Sequence, residues 1–159
     1  MYYEALKPKN SRGCFMGLLR ITRTPLVTVS VEASVMDAVR KMHEEHIGAI
    51  AVVDNDRLEG IFSERDLMYR VVLERKDPEQ TRVGDVMTSP VITIPRSLTA
   101  DDALKLMDEK QIRHLPVVNI DNRLVGMLSV RSLLHEKVQE LTDQLDSLEA
   151  YFTADGFGG

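Results

Sequence analysis

The chain has 159 residues, of which 43% are hydrophobic and 28% charged, and its formal net charge at pH 7 is −5. This balance argues against disorder, and the single cysteine, Cys14, excludes both an intramolecular disulfide framework and a multi-cysteine zinc site. The acidic balance also argues against a general nucleic-acid binder, which needs a basic face. The longest clean apolar run, residues 47–53, is far shorter than the roughly 20 residues of a membrane-spanning helix. Because no secretory signal is visible either, we expect a cytoplasmic protein that binds neither membranes nor nucleic acid.

The elements of the first half follow from the spacing of its apolar residues. After a flank at 1–23, a short β-branched run predicts a strand, and Ser34 is placed to cap a helix. A continuous apolar run then predicts a buried strand, and a cluster of Asp and Asn predicts a turn before the next one. The predicted strands lie at 26–29, 49–53 and 58–62, with a helix from Ser34 before the second strand and a helix from Ser63 after the third.

The second half repeats the first at an offset of 65 residues, which becomes 66 after a turn. Fifteen identities connect the two copies, for example Pro25 with Pro90 and Gly60 with Gly126. The predicted elements of the second copy are strands at 91–94, 115–118 and 124–128, with helices at 99–109 and from Ser129. Each copy therefore has the order β-α-β-β-α. Because a unit of about 50 residues buries little core alone, we expect the two copies to pack against each other.

The last predicted helix continues past the repeat into an extension at 139–159. Its apolar residues are spaced four and three apart, as in a heptad seam. The seam consists of Leu134, Val138, Leu141, Leu145, Leu148 and Phe152. Two interpretations remain open: an amphipathic helix that lies on its own domain, and a helix that pairs with a second subunit.

Several local motifs, in this order and spacing, resemble a tandem pair of CBS domains, also called a Bateman module. They are the sequences at 60–66 and 126–132, the Arg-His-Leu-Pro-Val-Val run at 113–118, and Asp-Val-Met-Thr at 85–88. The resemblance covers roughly residues 24–138. It divides the chain into a first repeat at 24–76, a linker at 77–86, a second repeat at 87–138 and the C-terminal extension.

The resemblance implies an α/β (α+β) fold in which two β-α-β-β-α repeats are related by a pseudo-twofold axis, with two clefts between them. Members of this family commonly bind adenine-containing ligands in these clefts and often pair into flat dimers. In larger members the module regulates an attached enzyme or channel. Here we expect a stand-alone module, because no attached catalytic domain is visible.

The segment from Ser63 to Asp66 is the first candidate binding element, since it follows a strand and opens a helix. The N–H groups and partial positive charge of a helix N-terminus favour a phosphate, and Ser63 adds a hydroxyl donor. The Asp66 carboxylate is suited to the two hydroxyls of a ribose. The alternative is a capping box, in which Ser63 and Asp66 only satisfy backbone donors. An Asp66→Ala change should weaken nucleotide binding tenfold or more in the first case and only stability in the second.

Carried over by position, the resemblance predicts two unequal clefts. The main cleft would contain Ser63, Glu64, Arg65, Asp66, Thr93, Arg113, His114 and Pro116. There Arg113 and His114 would supply cations for phosphate. The second cleft would contain Thr28, Ile47, Gly48, Ala49, Ser129, Arg131 and Ser132. Because Ser132 replaces the carboxylate and Gly48-Ala49 replaces the Arg-His pair, we expect this cleft to bind weakly, differently or not at all.

The function predicted from these residues is that of a sensor rather than an enzyme. No phosphate-binding glycine loop is present, and His43 and His46 lack zinc-protease spacing, so we expect no catalytic site, no metal and no catalytic cofactor. The ligand would be an adenine nucleotide, with AMP favoured and ADP, ATP, NAD(H) or S-adenosylmethionine allowed. We expect a homodimer that passes ligand occupancy to an unknown regulated protein. The alternative is a ligand-independent dimerisation and interaction scaffold.

Overall fold

The computed structural model describes residues 25–155 together with Leu18, Ile21 and Thr22. The rest of the N-terminal flank, with Cys14, lies outside the described residues. The first repeat contains β1 (Thr28–Ser30), α1 (Val35–Glu44), β2 (Ala49–Asp54), β3 (Arg57–Ser63) and α2 (Glu64–Asp66), which a π-helical turn (Leu67–Val72) continues. Its sheet has the order β1-β2-β3, with β1 parallel and β3 antiparallel to β2.

The core of the first repeat lies between its sheet and its helices. Helix α1 begins with a capping box in which the Ser34 hydroxyl accepts from the Asp37 N–H at 3.0 Å. Val35, Ala38 and Met42 recur at helical spacing and are buried against the sheet. The apolar run of β2 is buried because both of its faces are covered.

The second repeat has the same architecture after a short helix α3 (Val83–Val86). It contains β4 (Ile94–Pro95), α4 (Ala100–Lys110), β5 (His114–Val118), β6 (Leu124–Ser129) and α5 (Val130–Asp155). Its sheet, in the order β4-β5-β6, repeats the parallel and antiparallel pairings of the first sheet. Thr99 caps α4 through the Asp102 N–H, at 3.1 Å. The α/β fold with two β-α-β-β-α repeats, predicted from the sequence, is confirmed.

Apolar side chains from both sheets join the two repeats. Ala51 and Leu58 of the first repeat form one buried cluster with Val118 of the second, flanked by Leu124 and Met127. This shared cluster explains why two small units form one stable body.

Each repeat is also closed by the chain segment that precedes the other repeat. Thr88 exchanges two backbone hydrogen bonds with Ile61 on β3, at 2.8 and 3.1 Å. A Cβ on Gly60 would lie 2.5 Å from the Met87 sulfur, and a Cβ on Gly126 would lie 2.6 Å from the Thr22 methyl carbon. Only glycine therefore allows these segments to cross so closely over the two sheets.

Two details differ from the sequence prediction. Strand β4 covers only Ile94–Pro95 rather than the predicted 91–94. The helix after Ser63 turns into a π-helix at Leu67, a geometry that apolar spacing does not reveal. As the sequence predicts, the last helix continues past the repeat, and α5 is a single element of 26 residues. Of the helices in the described part of the chain, none combines the length and apolar character needed to cross a membrane.

Candidate functional site

The Ser63–Asp66 segment of the first repeat forms a closed capping box. Ser63 is extended at the end of β3, and α2 begins at Glu64. The backbone N–H and the hydroxyl of Ser63 both donate to Oδ2 of Asp66, at 2.9 and 2.6 Å. The Asp66 N–H returns a bond to the Ser63 hydroxyl at 3.4 Å. Asp66 is only 6% exposed, so its carboxylate is held inside the structure.

The second carboxylate oxygen of Asp66 is engaged as well. Oδ1 accepts a hydrogen bond from the Thr88 hydroxyl at 2.8 Å and lies 3.5 Å from Nη1 of Arg70. The same Arg70 nitrogen donates to the backbone carbonyls of Val86 and Met87. Asp66 thus ties the crossing segment onto the first repeat. A ribose would have to displace one of these partners to reach the carboxylate.

The equivalent segment of the second repeat contains two serines. The Ser132 hydroxyl accepts from the Ser129 N–H at 3.1 Å and bonds the Ser129 carbonyl oxygen at 2.9 Å. The Ser132 N–H donates to the Ser129 hydroxyl at 3.1 Å. Both serines are half-buried. The helix is therefore capped without a carboxylate, and the shorter side chain leaves room beside it.

Two adjoining cavities lie between the repeats, next to the start of α5. The first, of about 820 Å³, we call the α1 cavity because Val39, Met42 and His43 of that helix line it. Its remaining lining residues are His46, Ile47, Gly48, Glu64, Leu67, Arg113, His114, Ser129, Val130, Arg131 and Leu134. Both repeats contribute, and cationic side chains come from β5 and α5.

The second cavity, of about 650 Å³, we call the β1 cavity because residues just before β1 line it. Its apolar lining residues are Ile21, Leu26, Val27, Ile47, Ala49 and Met127, beside Gly48. Its polar lining residues are His46, His114, Ser129, Arg131, Ser132 and His135. An apolar wall with a few polar groups at one end is typical of a small-molecule site.

The two cavities share a floor of six residues: His46, Ile47, Gly48, His114, Ser129 and Arg131. Arg131 and Arg113 form no ion pair or side-chain hydrogen bond within the described part of the chain. Burial, aided by the charge of Arg113, lowers the pKa of His114, and nearby Glu64 opposes this effect. We call the continuous space the crevice. The crevice can bind an anion, since Arg131 and His114 lie on its floor and Arg113 lines the α1 cavity.

The crevice contains most of the second predicted cleft and only part of the main one. Residues from the second set that line it are Ile47, Gly48, Ala49, Ser129, Arg131 and Ser132, and residues from the main set are Glu64, Arg113 and His114. The predicted residues that line neither cavity are Thr28, Ser63, Arg65, Asp66, Thr93 and Pro116. Of these, Asp66, Thr93 and Pro116 are buried.

Sequence reasoning missed three histidines of the crevice. They are His43 and His46, whose spacing does not suit a zinc protease, and His135. They are exposed, but His43 lines the α1 cavity, His135 the β1 cavity and His46 both. Since His43 and His46 belong to α1 and the turn after it, whereas His135 belongs to α5, no local spacing could have indicated that all three line one crevice. Within the residues that the structure describes, no His, Cys, Asp or Glu group suits a metal ion.

Comparison with known proteins identifies the repeat. The family model for the CBS domain matches residues 19–73 and 83–138. An uncharacterized protein of Methanopyrus kandleri is 34% identical over 115 residues, or 72% of this chain. The mitochondrial CBS domain-containing protein CBSX3 of Arabidopsis thaliana is 32% identical over 127 residues, or 77% of this chain. The chain spans about three-fifths of the length of these two curated relatives, 59% and 61%.

Solved structures agree in fold. A putative signal-transduction protein with CBS domains from Burkholderia ambifaria is 37% identical with a TM-score of 0.68, covering 72% of this chain and 83% of its own. CBSX2 in complex with AMP is 28% identical with a TM-score of 0.64, covering 74% and 91%. A Pyrobaculum aerophilum CBS domain protein complexed with AMP is 26% identical with a TM-score of 0.65, covering 72% and 87%.

Proposed function

The chain belongs to the CBS domain family, and from that premise we propose that it binds an adenine nucleotide in the crevice and signals its occupancy to a partner protein. Its role is regulatory. Support for the nucleotide comes from two proteins of the same fold whose structures contain bound AMP. The observation that carries the proposal is the cationic lining of the crevice. Arg131 and half-buried His114 lie on its floor and Arg113 lines the α1 cavity, and neither arginine has an anionic partner among the described residues.

The two cavities differ in chemistry, and this difference orients the proposed ligand. Leu26, Val27 and Met127 give the β1 cavity an apolar wall that suits a flat adenine ring. The Ser132 hydroxyl borders this cavity and bonds only Ser129, through its N–H, hydroxyl and carbonyl groups, so a ribose hydroxyl would take the place of one of these bonds. The phosphate then reaches Arg131 and the shared floor, where charge-assisted hydrogen bonds are strongest. AMP fits this arrangement, and the α1 cavity offers space for the longer ATP or NAD(H).

This orientation reverses the ranking of clefts that the sequence suggested. The sequence favoured the Asp66 cleft because of its carboxylate and its Arg-His pair. In the structure Asp66 is held by Ser63 and Thr88, whereas the cleft around Ser132 opens into the β1 cavity. We therefore propose that the Ser132 cleft is the principal nucleotide site, sharing Arg113 and His114 with its neighbour.

Calorimetric titration with AMP, ATP, NADH and S-adenosylmethionine tests the proposal. Arg131→Ala should weaken binding of the nucleotide about tenfold or more, because a hydrogen bond between charged groups contributes about 1.5–3 kcal/mol. The matched control is Arg65→Ala, the equivalent arginine of the first repeat, which lines neither cavity and should leave the affinity unchanged. Equal losses in both variants would contradict the orientation.

A second function has its own support in the structure. If all four compounds fail to bind the folded, ligand-free protein, the sensor proposal is wrong and the chain is a dimerisation and interaction scaffold. The observation that favours this alternative is the exposed apolar seam of α5. The regulated partner, under either proposal, would have to contact a surface that changes with ligand or with assembly.

A further inference from the structure

The side chain of Glu64 lies beside the floor that the two cavities share. Helix α2 begins at this residue, and its backbone N–H donates to the Gly48 carbonyl oxygen at 3.1 Å, which holds the start of the helix against the floor. The carboxylate lies over Gly48, because a Cβ at that position would be 3.2 Å from Oε2 and 3.4 Å from Oε1 of Glu64. A side chain at position 48 would crowd the carboxylate, so the glycine leaves the room in which it lies.

The Glu64 carboxylate has no partner within the part of the chain that the structure describes. It forms neither a side-chain hydrogen bond nor an ion pair there, although Arg113 lines the same α1 cavity. The charges of both residues reach His114 on the floor. Burial lowers the pKa of His114 most, the Arg113 guanidinium lowers it further, and the Glu64 carboxylate opposes both effects. An anion in this cavity would therefore be attracted by one group and repelled by the other.

The two repeats place opposite charges on this cavity. At the offset between the copies, Arg113 corresponds to Gly48, and Val130 corresponds to Glu64. The equivalent backbone hydrogen bond is present too, from the Val130 N–H to the Arg113 carbonyl oxygen at 3.0 Å. All four residues line the α1 cavity, beside His43. One repeat thus contributes a carboxylate where the other contributes a guanidinium, and a ligand that extends beyond the shared floor meets both.

This arrangement bears on how many phosphates the ligand carries. We propose that Glu64 is a specificity-determining residue whose carboxylate favours a nucleoside monophosphate over the corresponding diphosphate and triphosphate. The inference rests on the proposed function, in which the first phosphate reaches Arg131 and the shared floor. A second and a third phosphate would extend into the α1 cavity, which has room for them but where Glu64 repels them. AMP ends at the floor and is repelled least.

Calorimetric titration of the full chain with AMP, ADP and ATP in magnesium-free buffer tests this role. Glu64→Gln removes the charge and keeps the size of the side chain. We expect the affinity for AMP to rise less than about threefold and the affinity for ATP to rise about tenfold or more, with ADP between them, because the repulsion grows with each added charge. The matched control is Glu59→Gln, which changes the net charge equally on β3 outside both cavities and should leave all three affinities unchanged.

The outcomes separate this inference from the proposed function. Equal gains for the three nucleotides, or no gain, would overturn the role of Glu64 and leave the nucleotide site intact. The wild-type chain should itself bind AMP more tightly than ATP, and the reverse order would overturn the role without any variant. If the folded wild-type chain binds none of the three, the proposed function is wrong and this inference fails with it.

A second readout needs no ligand. In an NMR titration of the imidazole signals, Glu64→Gln should lower the pKa of His114 further, because the carboxylate that opposes the effects of burial and of Arg113 is gone. Glu59→Gln should leave this pKa as it is in the wild type. A His114 pKa that is the same in all three proteins would contradict the position of the Glu64 carboxylate beside the floor.

Discussion

The two repeats use the same helix-opening segment in different ways. In the first, Ser63 and Asp66 form a capping box, and the carboxylate also binds the Thr88 hydroxyl of the crossing segment. In the second, Ser129 and Ser132 cap the helix with hydroxyls alone, and a cavity of about 650 Å³ opens beside them. The carboxylate of the first repeat therefore tethers the crossing segment, whereas Ser132, its counterpart in the second repeat, borders the open cavity.

The comparison shows that the residues of a motif do not by themselves determine ligand binding, because neighbouring groups can already occupy their hydrogen-bonding atoms. An acceptor can bind a ligand only when its lone pairs are not already used by buried donors. Both oxygens of Asp66 are used. The Ser132 hydroxyl also has partners, all of them on Ser129, but it is half-buried and borders a cavity, so a ligand can reach it and replace one of these bonds. Exchanging or deleting these residues is the most direct way to test the comparison.

The largest expected effect is on stability at the tethered position. Asp66→Ala removes the acceptor of the Ser63 and Thr88 hydroxyls and should lower the free energy of unfolding by about 2–4 kcal/mol. Ser132→Ala, its counterpart, should cost about 0.5–1.5 kcal/mol, because a neutral hydroxyl cap is lost at a less buried place. Urea denaturation measures both. Nucleotide affinity of the folded Asp66→Ala protein should stay within about threefold of the wild type, because Asp66 lines neither cavity. A tenfold change would correspond to about 1.4 kcal/mol of binding free energy. A loss of tenfold or more would restore Asp66 as the ribose ligand.

The crossing glycines provide a second comparison between the repeats. Gly60→Ala and Gly126→Ala should each destabilise the fold by about 1–3 kcal/mol, because the new methyl overlaps the crossing segment. Gly60→Ala should be the more severe, since its Cβ would also lie 2.9 Å from the Thr88 carbonyl oxygen, which is backbone and cannot rotate away. At Gly126 the nearest atom belongs to the Thr22 side chain. Thermal unfolding of the two variants would contradict this order if Gly126→Ala melted first.

The smallest expected effect is the pH dependence of stability that arises from His114 in the crevice. Burial lowers the pKa of His114 below its ordinary value of 6.5, so in this window the unfolded chain binds the proton more readily than the fold does. The contribution of His114 to stability is therefore complete above about pH 6.5 and is lost as the pH falls through the lowered pKa. Denaturation at pH 7.5 and 5.5 should show a smaller acid loss for His114→Gln than for the wild type.

Protonation of His114 also tests where the phosphate of the ligand binds. A phosphate bound beside His114 stabilises the imidazolium form, so binding near neutral pH should take up a proton. Calorimetry in buffers of different ionisation enthalpy measures this uptake. His114→Gln should reduce it, and an equal proton uptake in both proteins would place the phosphate elsewhere.

Most of the fold could be predicted from the sequence because the same pattern of apolar and capping residues occurs in both repeats. The spacing that predicts a helix capped by Ser34 recurs as a helix capped by Thr99, and both caps are present. Apolar runs located β2 and β5 because strands covered on both faces lack alternation. The π-helical turn at Leu67–Val72 could not be predicted, since side-chain spacing does not report a shift from i−4 to i−5 bonding.

The site was less predictable because its chemistry depends on contacts between distant residues. The partnership of Asp66 with Thr88 spans 22 positions, and it decides whether the carboxylate is available. The approach of His46 and His135 to one crevice depends on how the repeats pack. The cationic side chains of the α1 cavity, Arg113 and His114, could be named from the sequence, since charge belongs to a residue wherever the fold places it.

The crossed segments also bear on how the chain reaches its native state. Met87 and Thr88, at the start of the second repeat, close the sheet of the first, while Thr22 precedes the first and closes the second. Neither repeat can complete its contacts without chain from beyond its own boundaries. We therefore expect both to unfold in one cooperative transition. A repeat produced alone would present an open glycine groove, which the leading segment of another molecule would fill by exchange.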